Sequence, residues 1–149
     1  MNDEELQRAR EAGLNLLARR EHSRQELRAK LATRGYDTDT VENTLAGLVE
    51  EGLLSEVRFA ESYVASRSRR GVGPLRLRAE LRQRGLDDAA IDDALADPGL
   101  DWIAQARQAK QKKFGDAAPA DLRERARQTR FLEYRGFDAE QIRAVLGRQ

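Results

Sequence analysis

Seven arginines fall between Ser66 and Arg84, namely Arg67, Arg69, Arg70, Arg76, Arg78, Arg82 and Arg84, and they face a single acid, Glu80. Guanidinium groups at this density recognise carboxylates and phosphates, so the first chemistry to consider is anion binding. The band encloses a GVGP turn, Gly71–Pro74, which invites comparison with a phosphate-cradling loop. No strand pattern precedes that turn, no lysine and hydroxyl pair follows it, and proline removes one amide; ending one helix at Gly71 and starting another at Pro74 accounts for the residues. A second basic band carries Lys110, Lys112 and Lys113, followed by Arg123, Arg125, Arg127 and Arg130. Between the two bands, Gly85 to Asp101 holds six aspartates and no base. Alternating bands suit a partner of mixed charge, whereas a polyphosphate would be repelled by half of them.

Other chemistry finds little material. The chain has no cysteine, which removes disulfides, thiolate metal sites and cysteine nucleophiles, and its one histidine, His22, cannot build a zinc centre. His22 reads as an ordinary loop residue. Carboxylates are plentiful but sit at helix starts, where the helix dipole explains them. Trp102, Phe114 and Phe131 read as core at helical spacing rather than as base-stacking platforms. No catalytic residue, cofactor or metal is expected.

The elements that would position these charges repeat. LATRGYDTDTVENTL, LRQRGLDDAAIDDAL and LEYRGFDAEQIRAVL, starting at Leu31, Leu81 and Leu132, align without gaps. Each contains arginine, glycine, an apolar residue and aspartate in order: Arg34 to Asp37, Arg84 to Asp87 and Arg135 to Asp138. Glycine just past a helix end takes the left-handed conformation, and arginine in the preceding turn complements the dipole. Aspartate then caps the next helix, while the apolar residue packs against Val41, Ile91 or Ile142 as a staple. Ser23 with Glu26 and Asp138 with Gln141 form capping boxes. A further helix precedes each pair: Glu4 to Arg20 with Leu6, Leu14 and Leu17; Ser55 to Arg70 with Phe59, Tyr63 and Val64; and Trp102 to Phe114 with Ile103, Ala106 and Ala109.

The expectation is an all-α chain of nine helices: three tandem three-helix repeats, residues 1–52, 53–98 and 99–149, in an elongated, curved arrangement. About fifty residues bury too little to be comfortable alone, so stacking is the remedy. The helix after each tetrad would be the reading element of a DNA-binding module. Its exposed positions, Thr38, Asp39, Glu42 and Asn43 in the first repeat and Asp88, Asp92 and Asp93 in the second, would be repelled by phosphates. No apolar run approaches the roughly 20 residues that span a bilayer, and the first twenty residues are charged throughout, unlike a secretory signal; a cytoplasmic monomer is expected.

With the joints placed, the chain resembles the RecX family, regulators of the bacterial recombinase RecA. The resemblance rests on LLARREHSRQELRAKL in the first repeat, on VRFAESYVASR followed by GVGPLRLRAELRQRG in the second, and on RFLEYRGFDAEQIRAVL in the third, and covers nearly the whole chain. Two departures stand out. Leu54-Ser55-Glu56 replaces an aspartate-rich entry to the central repeat, and Gln128 stands in the place of Leu77. The resemblance implies a helical tandem repeat without enzymatic activity that binds the groove of the RecA filament and inhibits strand exchange, filament growth and ATP turnover. Within that reading, Arg67, Arg69, Arg70, Arg76, Arg78 and Arg82, with Lys110, Lys112 and Lys113, are the expected partner-binding residues. A weak contact with single-stranded DNA accompanies it. The alternative is a helical DNA-binding module that acts without a protein partner.

Overall fold

A computed structural model describes residues 2–147. Among them are nine α-helices and no strand: α1 (Asp3–Arg19), α2 (Arg24–Thr33), α3 (Thr38–Glu50), α4 (Glu56–Arg69), α5 (Pro74–Gln83), α6 (Asp88–Leu95), α7 (Trp102–Phe114), α8 (Leu122–Arg135) and α9 (Ala139–Leu146). None is long and apolar enough to cross a membrane.

The tetrads form the expected corners. Gly35, Gly85 and Gly136 have φ of +94°, +91° and +100°, closing α2, α5 and α8. Asp37, Asp87 and Asp138 accept from the amides of Thr40, Ala90 and Gln141 at 2.8, 2.9 and 2.8 Å, opening α3, α6 and α9. Both capping boxes are present. Leu86 and Phe137, each directly after its glycine, are buried, which fixes the angle at which the chain re-enters the core.

In each trio the first and second helices pack on the third, and each trio encloses its own cluster. Leu27 and Leu31 anchor the first, Leu77 and Leu81 the second, and all four are fully buried; truncating any of them to alanine costs about 2–5 kcal/mol. Three separate cores, rather than one, make the chain a row of modules. Its linkers pack backwards, because their apolar residues reach the core just completed. Leu54 belongs to the first cluster and Leu100 and Trp102 lie against the second, so the expected breaks after residues 52 and 98 cut across packed side chains.

Two helix faces differ from expectation. Helix α1 buries Ala9, Ala12, Gly13 and Leu16, leaving Leu14 and Leu17 at the margin. Small residues are needed there: a Cβ on Gly13 would already sit 3.0 Å from Leu48. On α7, Ala106 and Ala109 are buried but Ile103 is exposed, and Lys110 takes the next inward position. His22 is not a loose loop residue either. It is 1% exposed, with Nδ1 3.0 Å from the Arg20 carbonyl and Nε2 2.8 Å from the Lys30 ammonium. Lysine can only donate, so Nε2 accepts, the proton sits on Nδ1, and the ring is neutral.

Candidate partner interface at the module joints

The modules meet head to tail through their middle helices. The first turn of α5 leaves amides without intrahelical partners, and the last turn of α8 leaves carbonyls without them. At the second joint these satisfy each other: Gly73 N–H donates to the Arg135 carbonyl at 2.7 Å and Leu75 N–H to the Gly136 carbonyl at 2.9 Å. The first joint has the same arrangement with a side chain as go-between. Gln25, which aligns with Leu75, donates through Nε2 to the Gln83 carbonyl at the end of α5, 2.8 Å away.

Beside each joint lies a cleft, and the two are copies. The first, of about 340 Å³, is walled by Phe59, Ser62, Tyr63, Ser66 and Arg67 of α4. The second, of about 180 Å³, is walled by Gln105, Gln108, Ala109, Lys112 and Lys113 of α7, the same five positions counted from each helix's cap. Arg84 and Arg135, the tetrad arginines, occupy matching places, Arg84 over the Tyr63 ring at 4.7 Å and Arg135 over Phe131 at 5.0 Å.

Their charges differ. Glu21 and Glu26 line the first cleft, where Glu21 pairs with Arg58 at 2.7 Å and Glu26 with Arg20 at 3.1 Å. No carboxylate lines the second, which gathers Arg69, Arg70, Lys112, Lys113 and Arg135. None of these five has a carboxylate within ion-pair distance among the described residues. The fold tolerates the concentration because three helix ends converge there: Arg69 lies in the last turn of α4, Lys112 and Lys113 in that of α7, and Arg135 in that of α8. Each cation offsets the negative end of its own helix. The result is a concave, unneutralised positive surface that attracts an anionic group and gains by its arrival. Gln105 adds a side-chain oxygen without a hydrogen-bond partner.

The residues expected to bind a partner therefore divide. Arg69, Arg70, Lys112 and Lys113 come together in the second cleft. Arg67 and Arg76 instead clasp Glu80, at 2.8 and 3.1 Å, with the Tyr63 hydroxyl donating to the same carboxylate at 2.8 Å. Burial alone would raise the Glu80 carboxyl, yet the hydrogen bonds from Arg67, Tyr63 and Arg76 hold it down to about 2. Arg78 pairs with Asp92 at 2.7 Å and Arg82 with Asp88 at 3.0 Å, so the acidic band neutralises two of the seven arginines of the basic one. Lys110 departs from the expectation of an exposed cation. It is 5% exposed, and its Nζ donates to the carbonyls of Gly115 and Ala117 at 2.7 and 2.6 Å, pinning the loop after α7.

Arg135 is the member the sequence reading missed, since its tetrad position gives it a role at a helix end. Its Nη1 also donates to the Arg70 carbonyl at 3.0 Å, which ties the two edges of the cleft together. The signal available was the repeat itself: Arg84 and Arg135 align, and each lines the cleft at its joint.

Comparison with known proteins follows the same three-part division. Family models for the first, second and third three-helix domains of RecX match residues 9–48, 55–95 and 101–146. The chain is 55% identical over 136 residues to the regulatory protein RecX of Halorhodospira halophila (strain DSM 244 / SL1), covering 91% of this chain and 84% of that one. It is 51% identical over 137 residues to the regulatory protein RecX of Ectopseudomonas mendocina (strain ymp), covering 92% and 91%. Among solved structures, RecX from Lactobacillus salivarius superposes with a TM-score of 0.82 at 22% identity, covering 97% of this chain and 96% of that one.

Proposed function

Because this chain belongs to the RecX family, we propose that it regulates the bacterial recombinase RecA without catalysis of its own, by lodging in the groove of the RecA filament and holding neighbouring subunits. Held in that way, the filament loses strand exchange, extension and ATP turnover. The observation that carries this reading is the repeated cleft. Equivalent surfaces recur at two joints of one chain, so a polymer of identical subunits offers each of them an equivalent site, and two modest contacts carried by one ligand reinforce each other. The unneutralised second cleft supplies the stronger electrostatic contact and sets register; the balanced first cleft contributes shape.

A DNA module acting alone is the second reading, since the same five cations suit a phosphodiester backbone. The exposed residues of α3 and α6 favour the first, because Asp39, Glu42 and Asp93 present carboxylates where a groove-reading helix needs donors. Strand exchange by the cognate RecA filament tests the proposal. Saturating protein abolishes exchange on this account, and exchange that proceeds unchanged ends it.

A further inference from the structure

The acidic band between Gly85 and Asp101 is only partly used by the joints. Asp88 and Asp92 pair with arginines, and Asp87 and Asp101 cap helices. What remains lines a second surface. Beside the first joint is a groove of about 470 Å³ that includes Glu56, Val57 and Asp87, and it runs on through Val57 and Ala90 into one of about 340 Å³ between α4 and α6. The continuation adds Ala60 and Ala94 to the floor and Glu61, Asp93 and Asp97 to the walls. At 100° per residue, Val57, Ala60 and Glu61 lie about half a turn of α4 away from Phe59, Tyr63 and Ser66, so this surface faces away from the first cleft.

Two features set it apart from a solvated helix face. Its floor is apolar and open, with Val57 64% exposed and Val49 at its end 39% exposed. Its charge is one-sided: five carboxylates stand against Arg24 and Arg58, and Arg58 is already engaged with Glu21 and with the Gly52 carbonyl. Glu61 and Asp93 have no ion pair among the described residues, and one oxygen of Glu56 is buried without a hydrogen-bond partner. Burial pushes the Glu56 carboxyl upward, Arg24 only partly opposing it and Asp87 adding to it, a cost that a further cation relieves.

We propose that the groove formed by α4 and α6, from Val49 to Asp97, docks a basic amphipathic helix of a protein partner, its apolar stripe on Val57 and Ala90 and its lysines or arginines on Glu56, Glu61 and Asp93. An inter-helix groove with an apolar floor receives a helix by its apolar face. The walls select against acidic partners, nucleic acid and the chain's own acidic segments alike. The proposal is independent of the filament reading, since neither of the two joint clefts shares its walls.

The test uses the full chain and two fluorescein-labelled peptide helices of about five turns. They share one leucine and alanine face and carry either lysine and arginine or glutamate on the other. Anisotropy at physiological salt shows the basic peptide binding and the acidic one not. Glu61→Lys with Asp93→Lys weakens the basic peptide by at least about tenfold, and Val57→Ser by about threefold through lost apolar contact. Reversing Glu11 and Glu133, acids on other faces, changes nothing. Equal binding of the two peptides, or a basic peptide indifferent to either set of groove substitutions, overturns the proposal. So does self-association of the chain that the Glu61→Lys, Asp93→Lys pair abolishes, since the occupant is then a second copy.

Discussion

Gly73 and Gly136 meet so closely that neither has room for a side chain. A Cβ on Gly73 would lie 2.5 Å from the carbonyl carbon of Gly136, and one on Gly136 would strike Arg76. Gly73 is also the N-cap of α5, where the aligned residue of the first module is Ser23, whose hydroxyl caps α2. The second module gives up that cap because the backbone of the third fills its place. Gly73→Ala therefore forces the joint apart, with an expected loss of about 1–3 kcal/mol. Gly47→Ala in α3, where nothing lies within 4 Å, raises stability by about 0.5–1 kcal/mol. Urea unfolding of the two variants checks both signs.

Gln128 puts a polar side chain into the core of the third module. It takes the inward position of Leu77, is 3% exposed, and has its Nε2 on Glu124 at 3.2 Å while its Oε1 finds no partner. Replacing it with leucine removes an unsatisfied buried polar atom worth about 1–3 kcal/mol. The expected outcome is a higher urea midpoint with α8 and α9 protected longer in hydrogen exchange.

The corners were legible in the sequence because they are local. Arg-Gly-apolar-Asp carries its own termination, turn and cap within four residues, and the three copies calibrate one another. Pairing within the module was partly legible, as with Arg76 and Glu80 one helical turn apart. The joints were not. That Arg135 joins Arg69 and Lys112 depends on how helices of different modules pack, and even within the second module the partners of Arg67, Arg78 and Arg82 depend on packing between helices rather than on local spacing. GVGP shows the limit most clearly. Helix punctuation explains Gly71 and Pro74, but the need for Gly73 arises from a residue 63 positions further along.

Acid weakens the fold in two stages. His22 is held below its usual value, chiefly by burial, so the unfolded chain takes up its proton first as pH falls below 6.5, and the stability present above 6.5 begins to drain away. Glu80 is held at about 2 against an ordinary 4.5, so its contribution is complete above 4.5 and is lost as pH falls towards 2. Thermal midpoints followed from pH 8 downward should show both limbs. Glu80→Gln flattens the lower limb and leaves the upper one.

Charge reversal separates the gathered cations from the paired ones. Arg70→Glu with Lys112→Glu and Lys113→Glu weakens RecA-filament binding by about a hundredfold, as expected for desolvated charges at a contact. Arg82→Glu at its exposed pair with Asp88 shifts filament affinity by less than about threefold. Circular dichroism shows both proteins helical. Equal losses in the two would remove the special standing of the second cleft.

The account is tested most directly by titrating the protein, side by side and at two ionic strengths, against RecA filament preassembled on a single strand and against the bare strand. Filament that saturates first, at both salt concentrations, with only weak binding to naked DNA, is the predicted result. Equal or tighter binding to the bare strand, falling steeply with salt as released counterions require, would contradict it.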